Sequence, residues 1–277
     1  ALSKWFTGTL DRLVLYAYVM GLQSDVPIDV VIPAAEKDAD VLTYAIAGIR
    51  RNIRHPIVHI YVVGEESERL RSVCSKARAE YVNESEVVSI SPSSIGLEVH
   101  GIDRSRWIYQ QFLKLTGDRI TKQEHYLVVD ADTVMIRPQV FERKGRLIYN
   151  YSDEYHRPYF DMYERLLGER PACPVSFTSH QMLFSVGILG ELKTSIEAVH
   201  GCPWEQAILK TLDRSELSGC SDYDTYGQFA FLHHAERIAI EYWFNIDLSR
   251  RELRRLPLLE LKYGGRYKSA SFHSYRR

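Results

Sequence analysis

Cysteine is scarce in this chain and never closely paired. The four are Cys74, Cys173, Cys202 and Cys220, with no C-x-x-C pair. That disfavours a zinc site. A chain of 277 residues needs no disulfides to build a core, and the spacing shows no framework. A reducing, cytoplasmic setting is expected. No secretory signal is read, and no apolar run is long enough to span a bilayer. No G-x-G-x-x-G occurs, which disfavours a dinucleotide-binding Rossmann site. There is no internal repeat and no low-complexity linker, so nothing cuts the chain into two domains. Charge is balanced too. The net value of −1 argues against a general nucleic-acid binder. What is present is ordinary for a globular protein, with 45% hydrophobic and 26% charged residues. The 18 tyrosines suit cores, and also stacking on sugars or bases.

The most informative stretch is HYLVVDADTVMIRP, residues 125–138. Residues 126–129 form an apolar run that fits a strand buried on both faces of a mostly parallel sheet. It stops at Asp130-Ala131-Asp132. Two carboxylates one residue apart at the end of a buried strand are costly unless something cationic meets them. In open α/β sheets that strand end is where ligands bind. Mg²⁺ and Mn²⁺ prefer carboxylate oxygen and keep coordination positions for substrate phosphates. Asp130 and Asp132 are therefore read as gripping a metal that carries a diphosphate. The other reading is a polar turn whose acids cap backbone N–H groups. Resumption of a strand at residues 133–136 is unusual for a plain turn.

This segment resembles the D-x-D motif of GT-A-fold nucleotide-sugar glycosyltransferases. The order of features from Ile28 to His273 also resembles a largely uncharacterised bacterial family linked to surface polysaccharide synthesis. The resemblance implies an α/β, GT-A-like, Rossmann-type, mostly parallel sheet flanked by helices. It implies Mn²⁺ or Mg²⁺ as cofactor, a nucleotide-diphosphate sugar as donor, and a glycan acceptor.

Along the chain, residues 5–22 read as a helix that packs on the domain, or touches a membrane surface or a partner. The expected location is accordingly the cytoplasm, extending to the inner face of the membrane. Strands are expected at residues 28–33, 58–64 and 86–90, alternating with helices at 40–54 and 67–79, the βαβ signature. Further strands are read at 146–151 and 238–244. Helices are read at 159–167, 192–200, 204–212 and 228–233. One domain covers residues 1–277, with an N-terminal helix (1–24), a nucleotide-sugar half (25–138), and an acceptor half with a C-terminal loop (139–277).

The resemblance places donor contacts at Pro33, Ala34 and Glu36 in the first strand–loop, and at Arg106, Gln111 and Lys114 before the D-x-D strand, alongside Asp130, Ala131 and Asp132. Glu36, Lys37 and Asp38 also read as plain helix-start residues, and Trp107, Phe112 and Leu115 as core. A cation near a diphosphate is physically sensible. His273 is expected as a third metal ligand, and Lys262, Arg266 and Lys268 as closing over the diphosphate; a solvated basic tail is the alternative. Ser176, Thr178, Ser179 and His180 read as a polar rim for sugar hydroxyls, with His180 and Tyr223 on the acceptor. Asp222, then Asp224, are the candidate general bases if the reaction inverts, although both also suit a helix N-terminus. The expected function is glycosyl transfer from a nucleotide-diphosphate sugar to a glycan hydroxyl. The alternatives are a sugar nucleotidyltransferase and a non-catalytic glycan-binding protein of the same fold.

Overall fold

The computed structural model describes residues 22–274. The expected N-terminal helix falls almost wholly outside them. The main sheet begins with β1 (Ile28–Ala34), whose seven residues are all buried. It continues with β2 (Ile57–Gly64), β3 (Glu80–Asn83) and β4 (His125–Val129). These four are parallel, in the order β4-β1-β2-β3. The helices between them are α1 (Ala39–Asn52), α2 (Glu68–Ala77) and α3 (Ser105–Leu115). The α/β, mostly parallel sheet flanked by helices is thus as expected.

The short β5 (Thr133–Met135) follows β4, and β6 (Gln181–Ser185) comes later. β6 runs antiparallel beside β4 and closes the edge of the main sheet. The expected acceptor half therefore contributes a strand to the nucleotide half. Four more elements matter to the site: α4 (Asp222–His233), β7 (Asn245–Asp247), α5 (Leu256–Tyr263) and β8 (Ser269–Ser271). β5 does not continue in the main sheet. It pairs with β8, and β8 with β7, in a second sheet.

A strand after the two acids is thus found, but it serves another layer. Its place is fixed by α1. A Cβ at Gly48 would come within 2.8 Å of the Met135 carbonyl oxygen, so only glycine lets helix and strand approach this closely. Asn52 Nδ2 donates to the same oxygen at 2.7 Å. Under this second sheet lies a separate small core of Val41, Val134, Ile136, Leu253, Leu256, Leu259 and Phe272.

Three local expectations are corrected. The third strand lies at Glu80–Asn83, not at residues 86–90. There Asn83 caps a helical turn by accepting the Ser85 N–H, and Val87 and Val88 plug the core instead of pairing. α4 starts six residues before the expected 228, because the Ser221 hydroxyl accepts the Asp224 N–H as N-cap. The basic C-terminal stretch is not one long loop: Lys262 lies on α5, a turn at residues 264–268 carries Arg266 and Lys268, and β8 follows. Lys268 there is 8% exposed and pairs with Glu241 at 2.9 Å.

Candidate active site

β4 ends where Asp130 begins, at the carboxyl end of the parallel strands. The register of β6 sets His180 opposite Asp130, and the Asp130 N–H donates to the His180 carbonyl at 2.9 Å. His180 holds a left-handed backbone, φ 59°. Non-glycine residues rarely adopt it, and such strain gathers at functional sites. It turns the imidazole back, so that Nδ1 lies 2.9 Å from Asp130 Oδ2.

The other oxygen of Asp130 takes two donors. Lys114 Nζ from α3 approaches Oδ1 at 2.8 Å, and the Tyr223 hydroxyl from α4 donates to it at 2.9 Å. Burial alone would raise the Asp130 pKa, but Lys114 and His180 outweigh it and hold the carboxyl well below its usual range. The same contact works in reverse on Lys114. Burial lowers its pKa, and Asp130 and Asp222 more than restore it. Lys114 also lies over the Tyr223 ring at 4.1 Å, a cation–π contact.

Asp222 is the second carboxylate near Lys114, 3.6 Å from Nζ. It is 1% exposed, and its Oδ2 has no hydrogen-bond partner among the described residues. Burial pushes its pKa up to about 7 against the pull of Lys114. One lysine thus faces two carboxylates and neutralises the nearer one. Gln111 Oε1 accepts the Asp222 N–H at 3.0 Å, so Gln111 positions α4.

Asp132 is reached through the second sheet. Thr133 pairs with Ser271, and the Phe272 N–H donates to the Asp132 carbonyl at 2.8 Å. That register delivers His273, whose Nδ1 lies 2.9 Å from Asp132 Oδ2. Asp247 of β7 lies 3.7 Å from the other ring nitrogen. The His180 and His273 rings are 5.3 Å apart, and Trp243 lies 5.1 Å from His180 on another side. Glu154, exposed on the segment after the 146–151 strand, interacts electrostatically with His180, His273 and Asp247.

Asp130, Asp132, His180, His273, Lys114, Tyr223 and Asp222 are therefore neighbours. Others are placed differently. Asp224 accepts the Phe177 N–H at 2.6 Å and the Ser176 and Thr178 hydroxyls at 3.0 and 2.9 Å. Those hydroxyls, expected to face a sugar, hold an acid that is itself enclosed. The Ser179 hydroxyl donates to the Gln181 carbonyl. Arg106 is taken by Glu84 at 2.7 Å and Glu65 at 3.2 Å, so its charge is already matched. Glu36 accepts the Ser67 hydroxyl at 2.6 Å and sits with that group over the ends of β1 and β2. Pro33 and Ala34 end β1, paired with Val63 and Gly64. Trp243, Asp247 and Glu154 were missed as site residues. Nothing in the sequence around them marks a ligand, and only the pairing of distant strands brings them in.

Among the described residues, no group of three or more His, Cys, Asp or Glu side chains is arranged to hold a metal ion. Asp130 has spent its oxygens on three donors. What remains is Asp132 with His273, one carboxylate and one imidazole. That pair fits a cation that brings its own phosphate ligands, and the imidazole suits Mn²⁺ better than Mg²⁺.

Residues 28–255 match one known family. The chain belongs to the family of unknown function DUF6492. A search of curated proteins finds no match for this DUF6492 member. Among solved structures it is similar to the galactosyltransferase LgtC in complex with donor and acceptor sugar analogs. The identity is 12%, 90% of this chain and 88% of that one are covered, and the TM-score is 0.49. It is also similar to glucosyl-3-phosphoglycerate synthase from Mycobacterium tuberculosis in complex with Mn²⁺, UDP and glucosyl-3-phosphoglycerate. There the identity is 13%, the coverage 82% and 71%, and the TM-score 0.39. Likenesses this distant concern the course of the chain, not its chemistry.

Proposed function

We propose that this chain transfers a glycosyl group from a nucleotide-diphosphate sugar to a hydroxyl of a glycan acceptor. The observation that carries the reading is the Asp130–Asp132 turn. It sits at the carboxyl end of the parallel strands, where α/β sheets bind ligands, and the second sheet brings His273 to it. Asp132 and His273 would hold a divalent cation, Mn²⁺ by preference. Bound there, such an ion supplies positive charge to the departing diphosphate.

The remaining steps use the chain's own groups. Asp130 is the fixed post to which Lys114, His180 and Tyr223 tie three elements. Burial works against a charged His180, but Asp130 more than compensates and raises its pKa, which favours the cationic form beside a diphosphate. Trp243, next to His180, offers a ring face for a sugar. In the transfer, the acceptor oxygen bonds to the anomeric carbon, the bond from that carbon to the diphosphate oxygen breaks, and the acceptor proton leaves. Asp222 and Asp224 are both enclosed, so the proton acceptor we favour is Glu154, the exposed carboxylate facing the two histidines. Surface-polysaccharide synthesis is the process we attach to this activity, on the sequence resemblance.

The test is a thermal-shift screen of nucleoside diphosphates and nucleotide sugars, with and without Mn²⁺. Binding to the native state raises the melting temperature with the logarithm of ligand concentration over Kd. A shift that needs Mn²⁺ and disappears in Asp132→Ala supports the reading and names the donor base. A folded protein that responds to no nucleotide sinks it.

A further inference from the structure

A short 3-10 helix, Arg250–Arg255, runs directly into α5, giving the sequence RRELRRLPLLELKY. Its inner face is accounted for. Leu253, Leu256 and Leu259 pack on Val134, Ile136 and Phe272 in the small second core. Its outer face is not. Arg251, Arg254, Arg255, Leu258, Leu261 and Lys262 recur at helical spacing and all point to solvent. Leu258 is 64% exposed and Leu261 85%, more than any other large hydrophobic side chain among the described residues.

The charges of this element are sorted. Its two acids turn inward: Glu252 closes a capping box with Ser249, and Glu260 pairs with Arg51 at 2.7 Å. Its outward cations Arg251, Arg254 and Arg255 have no ion-pair partner among the described residues. Beside them opens a pocket of about 560 Å³, lined by Asp40, Tyr44, Arg250, Arg251, Leu253 and Arg254. Asp40 is already paired with Arg69 and Arg250 with Asp38, so Arg251 and Arg254 are the pocket cations left to a ligand.

Two outward leucines ringed by unmatched cations are wasteful in water. They suit an interface that is apolar inside and anionic at its rim. We infer that this face seats the chain on an anionic bilayer surface. Leu258 and Leu261 enter the headgroup–acyl boundary, Arg254, Arg255 and Lys262 meet lipid phosphates, and the arginine pocket receives a headgroup. The same element touches the candidate active site, because Arg250 Nε donates to the Phe272 carbonyl, one residue before His273. A seated chain would therefore hold its site close to the membrane. The inference rests on this face alone and stands whether or not the chain transfers sugars.

The experiment is sedimentation of the full chain with vesicles of phosphatidylcholine alone, or of three parts phosphatidylcholine to one part phosphatidylglycerol. Binding is expected to be on the order of tenfold or more stronger to the anionic vesicles, and to weaken as salt screens it. Leu258→Ser/Leu261→Ser and Arg254→Glu/Arg255→Glu should each weaken it by on the order of tenfold. Lys210→Glu, exposed on another helix, should leave it unchanged. All changed side chains are exposed, so melting temperatures should match the parent. The inference fails if the full chain ignores anionic vesicles, binds neutral ones equally, or keeps its affinity in both double variants. A dimer that Leu258→Ser/Leu261→Ser dissociates, without vesicle binding, would give the face to a second copy of the chain instead.

Discussion

Asp130 and Asp132 are two residues apart and about equally exposed, at 23% and 20% of their side-chain surface. They nonetheless belong to different regions. Around Asp130, a lysine, a tyrosine and a histidine from three elements converge on one carboxylate and satisfy it. Around Asp132, one imidazole meets one oxygen. The first region is a finished knot and the second an unfinished site. In a D-x-D turn the residue types are the same, so the division of labour comes from the donors each sheet supplies. β4, β6, α3 and α4 saturate the first acid, whereas among the described residues the second sheet brings the side chain of His273 alone to the second.

The comparison breaks most visibly at Lys114. Lys114→Met removes the lysine shared by Asp130 and the enclosed Asp222. Breaking a buried pair by removing one partner costs about 3–5 kcal/mol, and that loss is expected in urea unfolding. A loss below about 1 kcal/mol would mean the knot is no frame at all. Asp132→Ala is the opposite case. Stability should change by less than about 1 kcal/mol, because only one exposed-side bond is lost. Mn²⁺-dependent nucleotide binding should vanish, and transfer should fall by on the order of a hundredfold or more. If Asp132→Ala unfolds the protein while Lys114→Met spares it, the two regions have been assigned the wrong way round.

Asp222 sharpens the same contrast through pH. Burial raises its folded pKa to about 7, against about 4 in an unfolded chain. Between those values the folded protein holds a proton that the unfolded chain has released. Its contribution to stability is therefore complete below pH 4 and lost as pH rises to 7. Three units set a ceiling of about 4 kcal/mol; Asp222 is coupled to the charges of Lys114 and Asp130, so about 2 kcal/mol is the expected loss between pH 5 and 8. Asp222→Asn should remove that slope relative to the parent, read by urea unfolding at both pH values. A parent no less stable at pH 8 than at pH 5, with Asp222→Asn parallel to it, would show that Asp222 is ionised throughout.

Much of the first region was legible in the sequence, and less of the second. The run YLVVDAD gave both a buried strand and acids at its end, because apolar continuity and its abrupt stop are local signals. Lys114, Tyr223 and His180 could be named beside it, yet their shared target could not. Their partner is chosen by packing between residues 16 to 93 positions away, and no periodicity records that. Lys114 was read as meeting a diphosphate when a protein carboxylate already meets it. The hydroxyls of Ser176 and Thr178 were read as a sugar rim when they satisfy Asp224. Both readings meet one limit of a sequence: a polar side chain does not announce whether its partner is solute or protein. Glu86–Ile90 failed differently, since β-branched residues suit a buried plug as well as a strand.

The smallest test lies within the knot. Tyr223→Phe deletes one hydroxyl and leaves the ring, so the cation–π contact with Lys114 and the packing of α4 survive. Hydrogen bonds to charged groups contribute about 1.5–3 kcal/mol. Asp130 Oδ1 keeps Lys114 at 2.8 Å, so no oxygen is orphaned and the cost should sit near 1 kcal/mol. That change is measurable by urea unfolding. The same variant also separates framing from substrate contact. If Tyr223 only ties Asp130 down, nucleotide affinity should be unchanged and acceptor KM should stay level. If its ring or hydroxyl touches the acceptor, KM should rise while stability barely moves, and Tyr223 would belong to the unfinished site and not to the knot.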